Sequence, residues 1–165
     1  MFLIKLFRLV LWIWCLPQNI VGFFFTKFGK FEKSLFAPDM GTKNITKSKM
    51  IKFIRWLRTI GLPNYYYFRD DEKFVTDYGV SLGFYICFSC TKITKFSPKD
   101  IDHENGHRVQ SALLGPFYLI FVGITSLINF IYSRLVYSKK HNTTESRKAY
   151  HAFFTEAWAD KLGSC

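Results

Sequence analysis

Ser97-Pro98-Lys99-Asp100-Ile101-Asp102-His103-Glu104-Asn105-Gly106-His107 opens a helix and arms it within three turns. Ser97 can cap the first turn, Pro98 suits the first helical position, and Asp100 supplies an acid of the capping-box kind. The helix is expected to run to about Leu114, where Gly115-Pro116 stops or kinks it. His103 and His107 stand one above the other on a single face, so both can grip one metal ion. Glu104 lies about a quarter turn round, where it can reach a water on that metal. The pentad 103–107 is thus an H-E-x-x-H motif. The plain alternative is a surface helix that carries two histidines.

A zinc site needs a third protein ligand and an open position for water. A glycine and a third histidine following at the metzincin offsets would supply it, but those offsets hold Gln110 and Leu113. A glutamate on a later helix is the other route, and Glu156, within Thr155-Glu156-Ala157-Trp158-Ala159-Asp160, is the natural choice. Asp160, one turn on, can accept the free ring N–H of a metal-bound histidine and fix its tautomer. The last segment, 146–163, reads as one helix ending near Gly163. Ala149, Ala152, Ala159, Asp160 and Gly163 share the side of Glu156. That mostly small face would let the backbone come close to Gly106. Tyr150 and His151 are the nearby groups that could donate to a transition-state oxyanion.

The pentad 103–107 followed by Glu156-Ala157-Trp158-Ala159-Asp160 resembles the gluzincin metallopeptidases. The Glu-x-x-Ala-Asp form is most similar to their membrane-bound branch, the CAAX prenyl proteases and HtpX-type heat-shock proteases. The resemblance covers residues 97–163 and implies Zn2+ on His103, His107 and Glu156, Glu104 as general base, and Asp160 orienting a histidine. Pro17-Gln18-Asn19, Gly79 to Gly83 and Gln110 to Leu119 also look like stretches of a small bacterial membrane-associated family.

The rest of the chain bears on where such a site would work. Its 165 residues make one domain, 1–165. The composition is 49% hydrophobic with 19 Phe, yet the net charge is +11. That pairing points to a membrane-associated protein whose basic residues face anionic head groups. Lys and Arg are scattered and no nucleic-acid motif occurs, so nucleic acid is not the expected partner. Residues 1–25 form an apolar segment broken at Pro17-Gln18-Asn19, too short before the break for a comfortable span; an interfacial helix or a signal peptide fits the basic start. Residues 26–50 read as a loop or basic linker. Residues 48–60 read as a basic amphipathic helix with Met50, Ile51, Ile54 and Leu57 on one face, ended by Gly61-Leu62-Pro63-Asn64. Two short strands are expected near 65–69 and 80–94, joined by a charged turn at Arg69 to Lys73. Cys87-Phe88-Ser89-Cys90 reads as chance spacing in a strand.

The second apolar stretch, 116–137, separates the histidines from Glu156. A single crossing there would put them on opposite sides of a bilayer, since 138–155 is too polar to return. A bent or re-entrant element is therefore expected, with breakers near Gly123 to Ser126. The fold class is α+β and mostly helical: a metal site between two helices, a short hairpin or small sheet, and apolar membrane-interacting segments. The expected function is zinc-dependent hydrolysis of a peptide or protein substrate at an anionic lipid surface. The alternative is a non-catalytic membrane-surface protein with a structural zinc or no metal.

Overall fold

The computed structural model describes residues 2–33, 49–57, 65–70, 78–90, 98–135 and 143–163. The described residues are mostly helical and carry one small mixed sheet, an α+β arrangement. In chain order they form α1 (Phe2–Trp14), α2 (Leu16–Phe28), β1 (Glu32–Lys33), α3 (Lys49–Trp56), β2 (Tyr65–Asp70), β3 (Tyr78–Leu82), β4 (Tyr85–Cys90) and α4 (Pro98–Leu114). After a 3-10 turn at Gly115–Phe117 and a π-helical stretch at Leu119–Ile124 come α5 (Thr125–Leu135), α6 (Thr143–Ala152) and α7 (Phe154–Gly163).

The four strands lie in the order β1-β2-β4-β3. β1 runs antiparallel to β2, β2 parallel to β4, and β3 antiparallel to β4, which leaves β3 at one edge. The expected strand 80–94 is instead a hairpin. Gly83 takes φ +64°, the left-handed region that two-residue hairpin loops require at their first position. The Phe84 N–H then donates to Asn19 Oδ1 at 2.9 Å. That partner lies 65 residues away, out of reach of a local pattern. The expected linker 26–50 also changes: α2 continues to Phe28 and Glu32–Lys33 pairs with β2. Ser97, the Gly61 to Asn64 stop and most of the charged turn after Asp70 lie outside the described residues.

The main core joins Cys15, Ile54, Leu57, Phe84, Val109, Ala112 and Leu162. It is where α4 meets the first elbow, α3 and α7. Ile54 and Leu57 fall on the apolar face expected of the 48–60 helix. A second cluster, Tyr66, Ile86 and Phe88 with Ile101, packs α4 on the sheet. The Cys87 thiol is buried, and burial first, then the charge of Glu104, pushes its pKa up to about 12, so it packs as an inert side chain.

Two sharp elbows meet on α4. α1 and α2 are bent by 83° about Cys15, and the helical run that ends at Phe117 is bent by 119° from the 119–135 helix about Tyr118, ahead of the breakers at Gly123 to Ser126. Gln18 Nε2 donates to Ser111 Oγ at 2.9 Å and to the Gly115 carbonyl at 2.8 Å. Trp14 Nε1 donates to the Ala112 carbonyl at 3.1 Å. No single helix among the described residues is long and apolar enough to cross a membrane; each elbow passes that test only as a bent pair.

Both elbows carry helices that are inside out. On α2, Gln18, Asn19, Gly22 and Thr26 are buried, while Ile20, Val21, Phe23, Phe24 and Phe28 are exposed. On the 119–135 helix, Val122, Ser126, Asn129 and Ser133 follow helical spacing along the inner side, and Phe121, Ile124, Leu127, Ile128, Ile131 and Leu135 face outward. A helix on a protein in water shows the reverse, an apolar stripe inward and polar residues outward.

Candidate metal centre

α4 and α7 cross at a distance set by glycine. A Cβ on Gly106 would fall on the Ala159 carbonyl, and one on Gly163 on the Asp102 carbonyl. Only backbones stripped of side chains approach so closely. The single helix expected over 146–163 is broken at Phe153. Its N–H bonds the Tyr150 carbonyl at 3.1 Å, and Asn129 Nδ2 donates to the same carbonyl at 3.1 Å. An unbroken helix would have used that carbonyl for its own ladder. Ala149 and Ala152 therefore belong to a different helix from Glu156, and Ala152 is exposed. On α7 the small face that meets α4 includes Ala159 and Gly163.

At this crossing His103, His107 and Glu156 converge, all three buried, with one ligand atom from each within 4.8 Å of the others. His103 Nε2 and His107 Nε2 lie 3.1 and 3.2 Å from the same oxygen, Glu156 Oε2. The far ring nitrogens decide what the near ones can be. Gln110 Nε2 donates to the Thr155 carbonyl at 2.8 Å, which turns its Oε1 toward His107 Nδ1, 2.8 Å away. An amide oxygen only accepts, so His107 Nδ1 carries the proton. His103 Nδ1 lies 2.7 Å from Asp160 Oδ1 and donates likewise. Both Nε2 atoms thus turn toward a carboxylate oxygen at a spacing that needs a positive species between them: a proton on each imidazole, or one shared cation. A tetrahedral zinc with bonds of about 2 Å has ligand–ligand edges of about 3.3 Å, close to both distances.

The electrostatics follow the same geometry. Burial alone would raise the Glu156 carboxyl, but hydrogen bonds from His103 and His107 and the charge of His107 hold it well below the usual range. Burial alone would lower His103, but its bond to Glu156, the charge of Glu104 and its bond to Asp160 raise it to about 9. A dication would replace that proton with a stronger charge.

Glu104 is buried beside the histidines, and its Oε2 has no hydrogen-bond partner among the described residues. Burial raises its pKa, partly countered by His103 and His107. Its Oε1 sits where a Cβ on Gly79 would be, so edge strand β3 passes against the carboxylate. Tyr150 lies near Glu156 and Glu104; burial and then the charges of those two carboxylates keep its phenol protonated. His151 Nδ1 is 3.4 Å from Asp160 Oδ2, and its ring centroid is 4.9 Å from that of His103. A second grouping of His103, His151 and Asp160 shares His103. Asp160 is 47% exposed and already accepts from His103 Nδ1, which suits an orienting residue better than a ligand.

No protein family, curated protein or solved structure matches the chain. All seven expected site residues meet at the α4, α6 and α7 junction: His103, Glu104, His107, Tyr150, His151, Glu156 and Asp160. Five others escape a motif-based reading: Gln110, Thr155, Ser126, Asn129 and Gly79. Ser126 Oγ donates to Thr155 Oγ1 at 3.0 Å, and Thr155 Oγ1 to Glu156 Oε1 at 3.3 Å. Gln110 stands three residues after His107 on the same face, a local signal that spacing carries.

Proposed function

We propose that the chain is a zinc-dependent metallopeptidase-like protein that works at an anionic membrane surface. The observation that carries the reading is the pair of Nε2 atoms aimed at one buried Glu156 oxygen, with both Nδ1 atoms tied off by Asp160 and Gln110. Those bonds prepare lone pairs for a cation. His103, His107 and Glu156 would hold zinc, and the orphaned Glu104 Oε2 is the buried acceptor that a water would satisfy. When bound, the metal would supply a polarised scissile carbonyl and a water of lowered pKa.

The residues divide the remaining work. Glu104 takes the water's proton and returns it to the leaving amine; its raised pKa suits a group that must hold a proton briefly. β3, at the sheet edge beside Glu104, can pair with an extended peptide and lay its backbone across the site. Tyr150 keeps its O–H and can turn it toward an oxyanion. The inside-out helices support the membrane part of the reading, because polar residues inward and apolar residues outward suit an apolar surrounding. Lys5, Lys27, Lys30 and Lys33, exposed around the first elbow, suit anionic head groups.

The test is elemental analysis together with peptide cleavage on the purified full chain. One zinc per chain and cleavage are expected in the wild type. Glu104→Gln should keep the zinc and lose cleavage by at least about a hundredfold. Protein without zinc would overturn the reading. Zinc with unchanged cleavage in Glu104→Gln would remove the proposed base.

A further inference from the structure

The polar stripe of the 119–135 helix falls on the site's own supports. Ser126 Oγ bonds Thr155 Oγ1 at 3.0 Å, and that hydroxyl bonds Glu156 Oε1 at 3.3 Å. Asn129 Nδ2 bonds the Tyr150 carbonyl at 3.1 Å, at the α6–α7 break. One helix therefore steadies both the third ligand and the segment that bears Tyr150. The same helix turns Phe121, Ile124, Leu127, Ile128, Ile131 and Leu135 outward, each well exposed. Its inner side offers only Val122 as a buried apolar side chain. In water such a helix is held to the protein by a few polar contacts while its apolar face opposes the arrangement.

We propose that lipid regulates the metal site: seating the outer face of the 119–135 helix in a bilayer fixes Ser126 and Asn129, and through them Glu156 and Tyr150. This rests on the zinc reading. The occupant is the head-group and upper-chain region of an anionic bilayer. Arg134, exposed at the helix end with its guanidinium 5.6 Å from the Phe130 ring, and the exposed lysines of the first elbow supply the matching charge. The 17 residues from 119 to 135 rise about 25 Å, less than the roughly 30 Å of a hydrocarbon core, so the helix is too short to cross upright on its own. Ser126 and Asn129 act as positioning residues. They touch no substrate.

The experiment measures zinc affinity by chelator competition on the full chain, diluted out of detergent, with and without phosphatidylcholine–phosphatidylglycerol vesicles. Vesicles should tighten zinc binding about tenfold or more. Ser126→Ala should still sediment with vesicles but lose most of that gain, and Ser126→Thr, which keeps the hydroxyl, should retain it. Leu127→Asn with Ile131→Asn should lose the gain while leaving the vesicle-free affinity unchanged. Equal zinc affinity with and without bound vesicles would overturn the proposal, as would a full gain in Ser126→Ala. Zinc bound by a chain that ignores vesicles would overturn the lipid-facing surface. Absence of zinc in both states would overturn the zinc reading itself.

Discussion

Gly106 and Ala159 stand so close that any side chain on the first would occupy the carbonyl of the second. The crossing of α4 and α7 depends on that contact, and so does the position of Glu156 opposite the two histidines. Gly106→Ala should push α7 outward, destabilise the chain by about 1–3 kcal/mol and lower zinc content. Gly123→Ala is the control, because its Cβ would meet nothing nearer than 3.4 Å. Thermal unfolding and metal analysis of the pair check this; equal behaviour of the two variants would contradict it.

Gln110 holds His107 in the tautomer that leaves Nε2 bare. Gln110→Leu removes the acceptor and keeps the volume roughly constant. Zinc affinity should fall about 10–100-fold with the helical circular dichroism unchanged. Unaltered affinity in a chelator competition would show that the imidazole does not need this tether.

Tyr150→Phe separates an oxyanion donor from a packed ring. The variant should keep its zinc and lose about a hundredfold in kcat with KM little changed. An unchanged kcat would return Tyr150 to a purely structural role and leave His151→Ala as the next variant to assay.

Metal-free protein should show a pH signature. His103 has a folded pKa of about 9 against an ordinary 6.5: burial lowers it, but Glu156, Glu104 and Asp160 outweigh that. A group raised on folding contributes stability that is complete below about 6.5 and disappears as pH climbs through about 9. The unfolding temperature in chelator should therefore decline across that window. With zinc bound, His103 no longer carries that proton, and the decline should vanish. Melting curves at several pH values, with chelator or with zinc, test both halves.

What the sequence made legible was what depends on short spacing. His103, Glu104 and His107 declare themselves through one helical turn, and the α4 stop at Gly115-Pro116 is equally local. Glu156 and Asp160 follow from the same periodicity once a third ligand is required. The break at Phe153 was not legible, because the group competing for the Tyr150 carbonyl is Asn129 of another helix. The β3–β4 turn likewise depends on Asn19. Ser126 and Asn129 read naturally as interruptions of an apolar segment; only the packing shows that they line its inner side.

The bond from Gln18 to Ser111 spans 93 residues, and this orders events during synthesis. At about 5–20 residues per second, the N-terminal elbow waits some 5–20 s for its partner. Throughout that interval the Gln18 amide, buried in the finished fold, lacks both of its acceptors, whereas Asn19 Nδ2 already has the Trp12 carbonyl of its own elbow. Water can satisfy that amide until then, whereas a dry apolar surrounding would not. The first elbow therefore stays unfinished until α4 arrives and closes over it.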